Sequence, residues 1–163
     1  MRVELAIEAL APGGEGLGRD GARPVFVPFT APGDRIEVEV AAGKGPGRGE
    51  LRRLLEPGPD RAEPPCRHFG PGDGPDRMCG GCEWLHLRYP AQLAQKARAL
   101  AETLRRIGRL EPGRFELRPV RPSPAPLRYR SRAKFHLDRR SGRLCFFRRR
   151  SHLPVLLAAR HLL

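Results

Sequence analysis

The sequence predicts a mainly β chain with one helix: a small five-stranded barrel at the N-terminus, then a small α+β region. Three observations carry this expectation. Short runs of alternating apolar and polar residues fill residues 1–57, glycine and proline punctuate those runs, and one central stretch repeats apolar residues at helical spacing.

Val3, Leu5 and Ile7 alternate with Arg2, Glu4, Ala6 and Glu8, the period of a half-buried strand. Pro12-Gly13-Gly14 and Gly16 to Gly18 read as a glycine-rich turn. Val25 to Phe29 is a short buried strand, and Pro32-Gly33-Asp34 a turn. Ile36, Val38 and Val40 alternate with Arg35, Glu37 and Glu39; Gly45 to Gly49 turn the chain, and Glu50 to Leu55 form a last strand. Short strands at this density, with glycine turns between them, suit a small closed barrel over residues 1–57.

Residues 57–65, with four prolines in addition to Gly58, form an extended linker. A cysteine segment and a helix over 90–107 complete a middle region, 58–113. Pro90 suits the helix's first turn, Gly108 its C-terminal cap, and Leu93, Ala97, Leu100, Leu104 and Ile107 make one apolar stripe. Residues 114–163 read as a basic, β-rich, incomplete region. There Leu127, Tyr129, Ser131, Ala133, Phe135 and Leu137 alternate with Arg128, Arg130, Arg132, Lys134, His136 and Asp138. Ser141-Gly142 is a turn and Leu144 to Arg148 a returning strand; the apolar run Val155 to Ala159 is of either type.

The formal net charge is +13, and its placement is uneven. Residues 1–65 carry net −2, residues 66–113 net +3 and residues 114–163 net +12. A polyanion is the expected partner, nucleic acid first, and a merely solvated basic face is the bland alternative. The sequence has neither an apolar run long enough to span a membrane nor an N-terminal signal region, so a cytoplasmic, monomeric protein is expected. In that compartment clustered cysteines point to metal or redox chemistry before disulfides.

Cys66 and the pair Cys79-Gly80-Gly81-Cys82 are such a cluster. A CxxC turn with glycines lets two thiolates address one centre, and thiolate sites want about four ligands. Cys145, His68 and His86 are candidate fourths; all-cysteine ligation would favour iron–sulfur, a histidine zinc. The face carrying Arg128, Arg130, Arg132 and Lys134 would place cations roughly 6.5–7 Å apart on a strand, near the spacing of phosphates along one nucleic-acid strand. Arg148, Arg149 and Arg150 would extend that field, while Tyr129 and Phe135 fall on the opposite, core-facing side. Gly13 to Gly18 lacks the Gly-Lys-Ser/Thr ending of a phosphate loop and reads as a strand–turn device. No catalytic set is visible.

Three motifs in order resemble one family. Pro12 to Gly18 with Val25 to Phe29 and Pro32 to Asp34 is similar to a TRAM domain, an OB-like RNA-binding barrel. Cys79-Gly80-Gly81-Cys82-Glu83-Trp84-Leu85-His86-Leu87 with Tyr89, Gln92 and Lys96 resembles the iron–sulfur segment of RNA uracil-C5 methyltransferases. Tyr129 to Phe135 and Phe147 to His152 resemble that family's central RNA-contacting β region. The resemblance implies the N-terminal portion of a 23S ribosomal RNA methyltransferase with a [4Fe-4S] cluster on Cys66, Cys79, Cys82 and a fourth ligand. The family's fourth cysteine falls near Arg160 or His161 here, leaving Cys145 or His161 as the candidates. The resemblance also places the S-adenosylmethionine site, nucleophilic cysteine and general base in a Rossmann-like domain absent from this chain. The chain alone is therefore expected to be inactive. The alternative is a standalone RNA-binding module with zinc on Cys66, Cys79, Cys82 and His68 or His86.

Overall fold

A computed structural model describes residues 1–72, 74–111 and 113–157. Five strands close the N-terminal barrel: β1 (Arg2–Leu10), β2 (Gly16–Asp20), β3 (Arg23–Val27), β4 (Arg35–Val40) and β5 (Gly47–Glu56). Their order around the barrel is β1-β2-β3-β5-β4, with β4 pairing back onto β1. Every pairing is antiparallel except β3 with β5. Alternate residues of β1, β3 and β4 point inward, so Leu5, Ile7, Val25, Val27, Ile36 and Val38 make the core. This is the barrel the alternation predicts.

One strand stands where a turn is expected. Gly16 to Gly18 open β2 rather than a loop. A Cβ on Gly16 would lie 1.9 Å from the Thr30 hydroxyl, and one on Gly18 would lie 2.8 Å from the Ala6 carbonyl. These glycines serve close packing inside a tight barrel, and the turn itself sits at Pro12 to Gly14.

The middle region closes against the barrel. Phe69 enters the barrel core, edge-on to Phe29 with ring centroids 5.1 Å apart. The linker is stitched to the end of the cysteine segment: Ala62 N donates to His86 O at 2.9 Å and Arg88 N to Asp60 O at 2.9 Å. Helix α1 (Tyr89–Arg106) follows, within a residue of expectation. Its left-handed C-terminal residue is Arg109 rather than Gly108, and Leu110 N donates to Leu104 O across it. Of its side chains Ala91 is buried; Leu100 and the following Ile107 are exposed, so the apolar stripe is only partly covered.

A second sheet, β6 (His136–Asp138), β7 (Arg143–Phe147) and β8 (Pro154–Leu156), is antiparallel in that order. The long strand expected over 127–137 is realised only at β6. The physical reason is an occupied edge. On the β6 side of β7, Gly80 N donates to Phe147 O and Arg149 N to Met78 O, both at 2.9 Å. Met78–Gly80 thus takes the place that residues upstream of His136 would need. Residues 128–134 are exposed and irregular, and Tyr129, expected in the core, is 60% exposed.

Candidate nucleic-acid interface

The structure separates the candidate RNA-contacting cations into two kinds. Arg128, Arg130, Arg132 and Lys134 lie on the exposed segment before β6, and none has a carboxylate partner among the described residues. Arg130 places its guanidinium 5.8 Å from the Tyr129 ring centroid. The even strand spacing expected for the four is not formed, because the segment has no ladder.

Arg148, Arg149 and Arg150 are engaged within the fold. Arg148 Nη2 donates to Gly74 O. Arg149 pairs with Glu83 at 2.6 Å and donates to Gly13 O at 3.3 Å; its side chain is 13% exposed. Arg150 pairs with Glu15 at 2.8 Å, and Arg48 approaches the same carboxylate at 3.7 Å. Trp84 adds an indole N–H to Gly14 O at 3.2 Å. Gly14 has φ +82°, and a Cβ there would meet Glu83 and Trp84 at 2.8 and 2.9 Å. The glycine-rich barrel loop is therefore a socket for side chains from two other segments.

The barrel's own arginines are also largely paired, as in Arg19–Glu8, Arg35–Glu56 and Arg52–Glu39. The uncompensated positive charge thus lies outside the barrel, in agreement with the uneven charge of the sequence.

Cys66, Cys79 and Cys82 are electrostatic neighbours. Burial pushes the Cys79 thiol up, and Cys66 adds to it; desolvation, then Cys79 and Cys66, push Cys82 up, while Arg130 opposes the shift. Cys66 and Cys82 open onto a cavity of about 260 Å³ shared with Trp84, Leu127, Tyr129 and Arg130. Cys145 is fully buried in β7, its thiol raised by burial and by Asp138, not by the other cysteines. His86 and His68 each engage a backbone carbonyl through one ring nitrogen: His86 Nε2 lies 2.9 Å from Thr30 O and His68 Nδ1 2.6 Å from Asp76 O. Arg160 and His161 lie outside the described residues. Among the described residues no three His, Cys, Asp or Glu side chains form a metal-ligand group. A four-thiolate cluster wants one more cysteine than this neighbourhood presents, so the described donors do not complete its ligand set.

A second hub escaped sequence reasoning. Asp34, read as a turn residue, is fully buried. It accepts from Ala31 N at 2.7 Å and Gly58 N at 2.8 Å, and Arg61 grips it with two guanidinium nitrogens while donating to Phe29 O. Neighbouring His86 is buried, stacked on Phe69 at 5.4 Å, and burial holds its pKa down to about 4. This pair of buried polar groups ties the linker and the cysteine segment to the barrel floor.

Comparison with known proteins gives the chain its relatives. Residues 2–51 match the TRAM domain family. A Synechocystis protein described as an uncharacterized RNA methyltransferase is 40% identical over 157 residues, 94% of this chain and 32% of the relative. One from Halalkalibacterium halodurans is 35% identical over 92% of this chain and 31% of its own length. One from Bdellovibrio bacteriovorus is 37% identical over 94% and 37%, respectively. Among solved structures, the Pyrococcus abyssi tRNA (uracil-54, C5)-methyltransferase with S-adenosyl-L-homocysteine matches at 28% identity and TM-score 0.39, over 61% of this chain and 21% of that one. No helix among the described residues is long and apolar enough to cross a membrane. The chain thus matches the TRAM domain family at residues 2–51 and is similar, over nearly all of its length, to proteins described as RNA methyltransferases, of whose length it spans about a third.

Proposed function

We propose that this chain is the RNA-recognition portion of an S-adenosylmethionine-dependent RNA uracil-C5 methyltransferase acting on ribosomal RNA in the cytoplasm, and that it does not methylate alone. The observation that carries the reading is the segment 128–134: four cations with no carboxylate partner among the described residues, on a chain whose barrel matches the TRAM family. Such cations bind phosphates and release counterions. The motif order supports the uracil-C5 assignment.

The test is RNA affinity against salt, with a labelled uridine-loop hairpin as probe. Replacing Arg128, Arg130, Arg132 and Lys134 by Ala should weaken binding and lower the slope of log K against log[salt] by roughly 3 if all four touch phosphate. An unchanged slope and affinity would remove the assignment.

The cysteine cluster supports a second reading, a zinc-bound RNA-binding module, because three thiols rather than four are neighbours. Anaerobic purification separates the two. Iron and sulfide in a brown protein favour the cluster; one zinc in a colourless protein favours the module.

A further inference from the structure

We infer that Arg149 and Arg150 are positioning residues that clamp the second sheet onto the barrel's glycine-rich loop, and that they influence RNA only through that placement. The inference rests on the RNA-recognition reading for its consequence, but its geometry is independent of it.

Three segments meet at this loop. The barrel supplies Gly13, Gly14 and Glu15; the cysteine segment supplies Glu83 and Trp84; the turn after β7 supplies Arg149 and Arg150. Arg149 bridges the other two, with Glu83 on one nitrogen and Gly13 O on the other. Its backbone N–H is also spent, on Met78 O. Arg150 reaches Glu15, whose side chain is only 9% exposed, and holds φ +56°, a backbone state that a non-glycine residue keeps only where its surroundings fix it.

Chemistry decides between clamp and phosphate contact. A phosphate-binding arginine keeps its donors facing water until the ligand arrives. Arg149 is mostly buried with a carboxylate already at 2.6 Å. Recruiting it to RNA would strip Glu83 of its partner and open the loop. Arg128, Arg130, Arg132 and Lys134 face no such cost. The sequence run Arg148-Arg149-Arg150 therefore divides from the upstream cations in role, although both look equally basic in one dimension.

The experiment reads two quantities on the 163-residue chain carrying Arg149→Ala, Arg150→Ala or Glu83→Gln. The last variant removes the same pair from its exposed side and guards against loss of folding. Amide exchange at Gly13–Glu15 and Met78–Gly80 should accelerate by about ten- to a hundredfold, the factor a charge-assisted hydrogen bond is worth. Exchanging the partners, Arg149→Glu with Glu83→Arg, should restore protection. The salt slope for the uridine-loop hairpin should stay at the wild-type value in all of them. A slope lowered by about 0.7–0.9 in Arg149→Ala or Arg150→Ala marks a lost phosphate contact and overturns the clamp. Unchanged exchange overturns it too. If the wild-type chain binds no RNA, the recognition reading fails, and exchange alone decides the clamp.

Discussion

Lowering the pH should destabilise this protein through His86 before its carboxylates matter. The ring is 1% exposed. Its Nε2 lies 2.9 Å from Thr30 O, which requires a proton on that nitrogen. The proton of an imidazolium would then go to Nδ1, which is buried and has no hydrogen-bond partner among the described residues. Burial dominates the resulting shift to about 4; the Thr30 carbonyl opposes it and Arg61 adds to it. The folded pKa therefore lies below the unfolded value of about 6.5, and the unfolded state binds more protons between the two. Stability from this residue is complete above pH 6.5 and is lost as pH falls toward 4. A gap of about 2.5 units corresponds to about 3 kcal/mol, with a slope approaching 1.4 kcal/mol per pH unit. Urea unfolding at fixed ionic strength, followed by fluorescence of the single tryptophan, measures it. His86→Gln keeps a donor for Thr30 O and removes the titration. The wild type should lose about 3 kcal/mol relative to this variant between pH 7 and 4. Parallel stability curves would refute the argument.

Two substitutions test the barrel floor and its packing. Asp34→Ala leaves Arg61 and two backbone donors without their acceptor, and breaking such a buried pair should cost about 3–5 kcal/mol in the same urea assay; a cost below about 1 kcal/mol contradicts the hub. Gly16→Ala drives a methyl into Thr30 and should cost about 1–3 kcal/mol or more, whereas Gly13→Ala, with nothing within 4 Å of the new methyl, should be near neutral; equal effects would contradict the packing account.

What the sequence made legible follows from how far each interaction reaches along the chain. β1, β3, β4 and β5 are visible because burial alternates residue by residue, and α1 because its apolar residues recur every three or four. β2 is hidden because Gly16 and Gly18 carry no side chain to alternate, and their reason lies across the barrel at Thr30 and Ala6. Residues 127–135 have strand alternation without a strand, since alternation says which side chains would share a face but not whether an edge is free. Met78–Gly80, far upstream in the chain, holds that edge through Phe147 O and Arg149 N. The arginine clamp is equally non-local: Arg149 meets partners 66 and 136 residues away, and Arg150 one 135 away. The three cysteines were legible as neighbours; their completeness was not, because a fourth ligand is a matter of tertiary approach.

These backbone pairings bear on what a metal would do at the cysteines. A metal on the cysteine cluster would be one way to staple the barrel to the second region. In the structure backbone hydrogen bonds also sew that joint. Cys79 N donates to His68 O, Gly80 N to Phe147 O and Arg149 N to Met78 O, each at 2.9 Å, while Ala62 and Arg88 tie the segment's far end to the linker. Phe69 buries a ring in the barrel core, worth about 1.5–3 kcal/mol. A metal at Cys66, Cys79 and Cys82 would then order the glycine turn and the cavity beside Tyr129 and Arg130, not hold the regions together. Chelator treatment should accelerate amide exchange at Gly80–Glu83 while leaving Gly13–Glu15 and Asp60–Ala62 protected. Exchange that quickens in all three places at once would make the metal the staple after all, and the hydrogen-bonded seam its consequence.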